Sequence, residues 1–199
     1  MRNIIVILAL CLSTLIFGQK SSDKINLDSI NNDLLNELLI KKIIEQRYLS
    51  GATEIMKDTI PMASAKYHTD YFVTYDDTSS THNPNNPLPF YYLGNSTPYP
   101  TNFSTPQSRL FNVGVFMNQV DQNKSVELIK EVTFFSPINN FSQINYTECV
   151  EKIFNNLIDN NKKDILYDYT NEERFIGVSS VTKDHNFMLT LVISTKISK

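Results

Sequence analysis

The side chains best suited to acid–base or metal chemistry in this chain are its three histidines, two of which lie close together in the sequence. His68 and His82 fall within the stretch ASAKYHTDYFVTYDDTSSTH. A histidine titrates near neutral pH, so it can act as a general base, ligate a metal ion or sense pH. Which of these roles is open to either side chain depends on the elements that hold it.

The residues around His68 have the spacing of a buried helix. One face carries small or apolar side chains at intervals of three, four and three positions, namely Met62, Ala65, Thr69 and Phe72. Pro61 suits the first turn of such a helix. His68 lies on or beside this face. We therefore predict a packed, neutral imidazole, because burying the charged form costs free energy.

His82 follows the turn-forming run Asp76-Asp77-Thr78-Ser79-Ser80 and precedes Asn83-Pro84, which hold the chain extended. We predict that His82 is the more exposed of the two histidines, that it faces a cleft and that its pKa is near the ordinary value of about 6.5. Asp76 and Asp77 are interpreted as a solvated turn rather than a carboxylate pair. His185 falls in a predicted hairpin turn.

Composition narrows the class of protein. The 199 residues suit a single domain, and the 41% of hydrophobic residues suffices for a core. The net charge of −3 and the absence of a basic stripe exclude a nucleic-acid-binding surface. The sequence contains no glycine-rich phosphate loop, serine elbow, HExxH, CxxC or EF-hand loop.

The opening stretch MRNIIVILALCLSTLIFGQK is typical of a signal peptide over residues 1–18, cleaved between Gly18 and Gln19. Its apolar run is too short for a comfortable transmembrane helix, and no later segment could span a membrane. A lipoprotein anchored at Cys11 is the alternative, but Leu10 stands where a small residue is wanted. We expect a secreted or periplasmic protein, with Cys149 left alone, buried and without a disulfide.

The remaining chain reads as one domain over residues 29–199, preceded by a flexible arm at residues 19–28. A helix is predicted from Ser29 to about Arg47, closed by Gly51, followed by the helix around His68. Residues 83–107 hold six of the eight prolines and form a Pro/Asn-rich loop, which is often functional at this length. Residues 112–120 alternate in a way that predicts a strand, and residues 126–135 fit either a helix or a strand.

The C-terminal third gives the clearest patterns. A helix is predicted from the apolar stripe Val150, Ile153, Phe154, Leu157 and Ile158, with Asn145 and Glu148 as a capping box. It ends in, or runs one turn into, the polar run at 159–164. Two strands follow, at residues 175–181 and 187–194, joined by a turn at 183–186. Helices combined with an antiparallel sheet indicate an α+β fold.

In this order the parts resemble the CAP superfamily, the secreted SCP-like domain of cysteine-rich secretory proteins, insect venom antigens and plant pathogenesis-related proteins, which has many bacterial members. The resemblance covers about residues 27–195. It rests on LLNELL, on ASAKYHTDY followed by Thr81-His82, on TECVEKIFNNLIDNNKKDIL, and on YTNEERFIGVSSVTKDHNFMLTLVIS with its Gly177-Val178. It implies a three-layer α-β-α sandwich with a central antiparallel sheet.

The cleft shared by that family carries two histidines and two glutamates that can hold zinc. The resemblance matches His82 to one histidine and Glu131 to one glutamate, with Glu127 as the alternate. The second histidine falls on Asn161 to Lys163, and no acidic residue between positions 83 and 120 supplies the second glutamate. A zinc site requires three or four ligands, and the resemblance places only one histidine and one glutamate. We therefore expect no cofactor, with zinc as the alternative. The binding residues implied are His82, Glu131, Glu127, Asn161 and Lys163.

Two functions from different classes remain. The first is a non-catalytic extracellular binding or interaction module, whose ligand is a small molecule, a lipid or an extracellular protein held near His82. The second is a secreted hydrolase, metal-dependent or general-base, with His82 and Glu131 as catalytic candidates. The hydrolase requires these two side chains within hydrogen-bond reach in one open cleft.

Export predicts a defined N-terminus. The intact mass of the exported chain should correspond to a protein that begins at Gln19, because the apolar run ends at Phe17 and a small residue follows. Cleavage removes Arg2 and no acidic residue, so the net charge changes from −3 to −4. Mass spectrometry that finds a lipid on Cys11 would contradict this prediction.

Overall fold

The computed structural model describes residues 19–86, 88, 103–117, 120, 125–167 and 172–195. The predicted signal peptide, its Cys11 alternative and most of the Pro/Asn-rich loop lie outside these residues. The elements in chain order are α1 (Asn32–Leu49), β1 (Ile55–Lys57), α2 (Thr59–Tyr75), α3 (Pro106–Phe116), β2 (Leu128–Pro137), a short 3-10 helix (Ile138–Phe141), α4 (Tyr146–Leu166), β3 (Arg174–Lys183) and β4 (Asn186–Thr195).

The four strands form one mixed sheet in the order β1-β3-β4-β2. The three long strands are antiparallel, as predicted, and β1 is a short parallel strand at the edge that the sequence did not reveal. The β3–β4 hairpin closes at the pair Lys183–Asn186. Asp184 and His185 between them both have positive φ, at 47° and 62°, as two-residue hairpin turns require. The α+β class is confirmed.

Helices cover both faces of this sheet, which gives the three layers. On one face α1 and α4 pack over the odd-numbered residues of β4, from Phe187 to Ile193, and make the larger core. Phe154 and Leu157 lie in it, as the apolar stripe predicts. On the other face α2 and α3 pack over the even-numbered residues, and Val192 joins Ile60, Ala65 and Leu110 in a second core.

The composition of residues 19–28 predicts a flexible arm, whereas in the structure this segment contacts other elements. Ile25 is buried, and its backbone N–H donates to the carbonyl of Ile144 at 3.0 Å. Lys24 forms an isolated bridge with Asn145. The segment therefore runs along the start of α4 and leads into α1, whose N-cap is Asn31 rather than the predicted Ser29.

The prediction of a strand at residues 112–120 is wrong, because residues 112–116 belong to helix α3. Thr105 and Ser108 form a capping box at its start, and Pro106 occupies the first turn, where its missing N–H costs nothing. Leu110 and Val113, three apart, are the buried apolar side chains of this helix. The alternation of Val113 and Val115 suggested a strand by chance, since these residues lie on a helix. The ambiguous segment at 126–135 resolves into β2.

The two later elements follow the sequence closely. Asn145 and Glu148 exchange backbone-to-side-chain hydrogen bonds of 2.9 and 3.0 Å, which is the predicted capping box of α4. The helix kinks at Asn161, where φ is −129°, and continues through the polar run to Leu166. Cys149 on this helix is buried, and burial raises the pKa of its thiol to about 12. None of the described helices has both the length and the hydropathy that a membrane crossing requires.

Gly177 sets how closely α2 approaches the sheet. A Cβ at this position would lie 2.0 Å from the backbone nitrogen of Met62 and 2.2 Å from the carbonyl carbon of Pro61. Both atoms belong to the backbone of the first turn of α2, so they cannot move aside as a flexible side chain would. We predict that Gly177→Ala lowers the free energy of unfolding by about 3 kcal/mol, near the upper end for overpacked sites.

Gly51→Ala is the matched control for this substitution. Gly51 has φ of +69° but open space around its Cα, so only backbone strain opposes a methyl group, at a cost of about 1 kcal/mol. Urea unfolding measures both variants. Equal losses in the two would mean that α2 can move away from β3 at little cost.

Candidate functional site

His68 and His82 contact each other inside the α2–sheet interface. His68 Nδ1 lies 2.6 Å from His82 Nε2, and His68 Nε2 lies 3.2 Å from Thr133 Oγ1. The rings are nearly parallel, at 10°. Whichever nitrogen carries each proton, the two imidazoles and the hydroxyl form one hydrogen-bonded chain from the exit of α2 to strand β2.

The predicted exposure of His82 is wrong, since only 3% of the residue is exposed to solvent, whereas the burial of His68, at 0%, agrees with expectation. Tyr71, one turn of α2 before Tyr75, stacks on the His82 ring with centroids 3.6 Å apart. The His82 backbone N–H donates to the carbonyl of Ser104 at 2.7 Å. The extended segment after the turn is thus folded inward beneath the start of α3.

Arg109 of α3 and Glu131 of β2 form a buried ion pair beside the histidines. Arg109 Nη2 donates to Glu131 Oε1 at 2.6 Å, and 0% and 3% of the two side chains are exposed. The same nitrogen donates to the carbonyl of Ser80 at 2.8 Å, while Nη1 reaches the carbonyls of Phe103 and Ser104 at 3.4 and 3.3 Å. One guanidinium therefore joins both ends of the Pro/Asn-rich loop to the sheet.

Burial shifts the titration of all four groups. Burial and, to a smaller extent, the nearby Arg109 charge lower the pKa of His68 to about 3 and of His82 to about 2. Burial raises the pKa of Glu131 to about 6, against the opposing effect of Arg109. It also lowers the pKa of Arg109, which Glu131 opposes. At neutral pH both histidines are neutral and the carboxylate is ionised.

This cluster does not fit a zinc ion. The facing nitrogens of His68 and His82 are engaged with each other, and Glu131 is engaged with a guanidinium that would repel a cation. No group of three or more histidine, cysteine, aspartate or glutamate side chains comes together anywhere in the described parts of the chain. Zinc needs three or four such ligands.

The other residues expected at the site lie elsewhere. Glu127 is exposed, and its backbone N–H donates to Thr195 Oγ1. Asn161 lies at the kink of α4 and donates to the carbonyl of Leu157; α4 covers the opposite face of the sheet from His82. Lys163 lies on the same helix, and its side chain is outside what the structure describes. No hydrogen bond joins the His82 and Glu131 side chains directly within the described residues; Arg109 binds Glu131 and the carbonyl of Ser104, which also accepts from the His82 backbone N–H.

Arg109 is the member of the cluster that sequence reasoning missed, and a signal for it exists. Only four of the 18 basic residues are arginines, and the three that the structure describes, Arg47, Arg109 and Arg174, are all buried. The planar guanidinium offers five donors and is more weakly hydrated than an ammonium group, so it suits buried sites. Rare arginines in a lysine-rich chain therefore point to structural anchors.

A separate, partly open cavity of about 380 Å³ lies between α1, α2 and β3. Asn32 and Asn36 line it from α1, Met62 and Ala63 from α2, and Ser180 from β3. Ser180 Oγ donates to Asn32 Oδ1 at 3.2 Å. His82 and Glu131 do not line this cavity. The cavity volume is within the usual range of small-ligand sites.

The chain matches no protein-family model and no curated protein. Among solved structures it is similar to an outer surface protein from Borrelia burgdorferi, with 16% identity and a TM-score of 0.47. The alignment covers 89% of this chain and 99% of that one. At this level the likeness carries no argument about function.

The buried titratable groups predict how stability depends on pH. Below pH 6.5 the unfolded chain protonates His68 and His82 while the folded chain does not. The unfolded state then binds up to two more protons than the folded state, so acidification lowers the free energy of unfolding. Between about pH 6 and 4.5 Glu131 is protonated in the folded chain but still ionised in the unfolded chain. This proton bound by the folded state offsets one of the two bound by the unfolded histidines. We predict that the free energy of unfolding falls from pH 7 to pH 5, each proton contributing at most about 1.4 kcal/mol per pH unit.

His82→Asn should remove about one proton from this pH dependence, measured by urea unfolding at pH 7, 6 and 5. The matched control is His185→Asn, since His185 is exposed in the hairpin turn and asparagine tolerates its positive φ. A His82→Asn variant with the same pH slope as the parent would show that His82 protonates freely in the folded state.

Proposed function

We propose that this chain is an exported, non-catalytic binding module of CAP type whose ligand occupies the cavity between α1, α2 and β3. The cavity itself carries the proposal, because it is open to a ligand and has polar and apolar walls. The CAP assignment is supported by the three layers and by the sequence resemblance. The extracellular location rests on the predicted signal peptide.

The hydrolase alternative has less support. A general base must reach a substrate proton directly or through one water, and both His82 and Glu131 are buried side chains that do not line the cavity. Low pKa values keep the two histidines neutral, but Tyr71 covers one face of His82. The cluster accordingly suits the fixing of the Pro/Asn-rich loop better than catalysis.

The proposal is tested by filling the cavity. Ala63→Phe places a ring into it from α2, and Val73→Phe is the matched control, since Val73 is 39% exposed on the same helix. Both variants and the parent are screened by thermal shift against amino acids, oligopeptides, sugars and fatty acids. At about 100 times its Kd a ligand stabilises by about 2.7 kcal/mol, which raises Tm by several degrees.

We expect at least one compound to raise the Tm of the parent and of Val73→Phe but not of Ala63→Phe. A compound that stabilises all three equally would place the ligand elsewhere. Hydrolysis of a nitrophenyl ester by the parent that is lost in His82→Asn would overturn the non-catalytic assignment.

A further inference from the structure

The floor of the cavity is an unpaired edge of the sheet. Strand β1 pairs with β3 only as far as Ile176, whose carbonyl accepts from Asp58 N–H at 3.1 Å, and the chain then enters α2. Backbone groups of a strand alternate in direction, so those of Val178 and Ser180 face the same way as those of Ile176. Among the described residues, no strand continues β1 here, and no hydrogen bond reaches these backbone groups from that side.

The two walls above this edge differ in chemistry. On the α1 side, Asn36 Oδ1 is a buried acceptor without a hydrogen-bond partner among the described residues, and Asp33 lies one turn before it. On the α2 side, Met62 and Ala63 present apolar surface between the polar side chains of Thr59 and Lys66. Buried polar atoms are normally hydrogen-bonded, so Asn36 marks where a ligand donor would bind.

We propose that this cavity, and with it the proposed binding function on which this inference rests, takes an extended peptide that adds to β3 as a short strand. The backbone N–H and C=O groups of Val178 and Ser180 are spaced about 7 Å apart, the repeat of a strand. A peptide backbone matches both positions at once. Such strand addition derives affinity from main-chain hydrogen bonds and specificity from alternate side chains.

The walls decide between a single peptide and a second copy of this chain. The edge is flanked by α1 on one face of the sheet and by α2 on the other. A strand that belongs to a folded sheet carries its own packed layers, which would collide with these two helices. A lone extended segment of about three residues has no such layers and can lie between the helices.

The same walls predict a side-chain pattern for the peptide. Side chains of a strand alternate between faces, and residues paired across two strands share a face. Ser179 contacts Thr69 of α2, whereas Ser180 contacts Asn32 of α1, so the central peptide residue, opposite Ser179, points towards α2 and its two neighbours towards α1. The neighbours should carry donors, such as serine, asparagine or lysine, to meet Asn36 Oδ1 and Asp33. The central residue should be small and apolar, to pack on Met62 and Ala63.

The experiment selects phage-displayed random heptapeptides on the purified chain, with Ala63→Phe as the counter-selection. The enriched peptide is synthesised in three forms: unmodified, N-methylated at the amides that would face β3, and N-methylated at the intervening amide. We expect methylation on the β3 side to weaken binding at least about tenfold, as the loss of one or two hydrogen bonds predicts. Methylation at the intervening amide should have little effect.

Two readouts on the protein accompany the peptide series. Hydrogen exchange at the amides of Val178 and Ser180 should slow on binding of the unmodified peptide. Asn36→Leu should weaken binding about tenfold, whereas Asn36→Asp, which keeps an acceptor oxygen, should retain it. Equal binding of all three peptide forms, or exchange protection confined to other strands, would overturn the inference.

The outcome also separates this inference from the function on which it rests. A non-peptide compound that stabilises the parent but not Ala63→Phe, with no peptide enriched, would overturn strand addition and leave the binding module intact. An enriched peptide that binds Ala63→Phe as well as the parent would contradict both.

Discussion

A guanidinium that is fully buried needs a counter-charge and hydrogen-bond acceptors, and Arg109 has one carboxylate and three main-chain carbonyls, which leaves only its Nε without a partner among the described residues. The carboxylate of Glu131 lies on the sheet, and the carbonyls belong to Ser80, just before the Pro/Asn-rich loop, and to Phe103 and Ser104 near its end. A buried charge that loses its partner is far more costly than a broken surface pair. Arg109 therefore adds a buried ionic link between α3 and the sheet to the apolar contacts of Leu110 and the hydrogen bonds of Gln107.

Burial and, after it, the charge of Arg109 determine the protonation state of the neighbouring histidines. Two imidazoles in contact could share a proton, but burial and the adjacent positive charge keep His68 and His82 neutral. Beneath them, Thr133, Thr190 and Ser179 are cross-strand neighbours, and Thr69 of α2 shares a hydrogen bond with Ser179. The interface under α2 is thus polar but closed, with directional contacts that fix the helix in one register.

How much of this could be read from the sequence depends on how local the signal is. The stripe of α4, its capping box and the β3–β4 hairpin involve residues within a few positions of one another, and all three were predicted. The α3 helix was missed because Val113 and Val115 alternate as in a strand, and Pro106 ended the loop rather than extending it. The burial of His82 depends on Ser104, Arg109 and Tyr71, which no short-range pattern connects to it.

The order of strands in the sheet has a consequence for how the molecule assembles. The two strands at its centre, β3 and β4, are the last elements of the described chain, and β1 pairs with residues about 120 positions downstream. During synthesis from the N-terminus, α1, α2 and α3 emerge with apolar faces that have no sheet to cover. The pairing of β1 with β3 closes a long loop, and contacts between residues far apart in the sequence slow folding. The chain must therefore remain unfolded, or be shielded by a chaperone, until the closing hairpin is available.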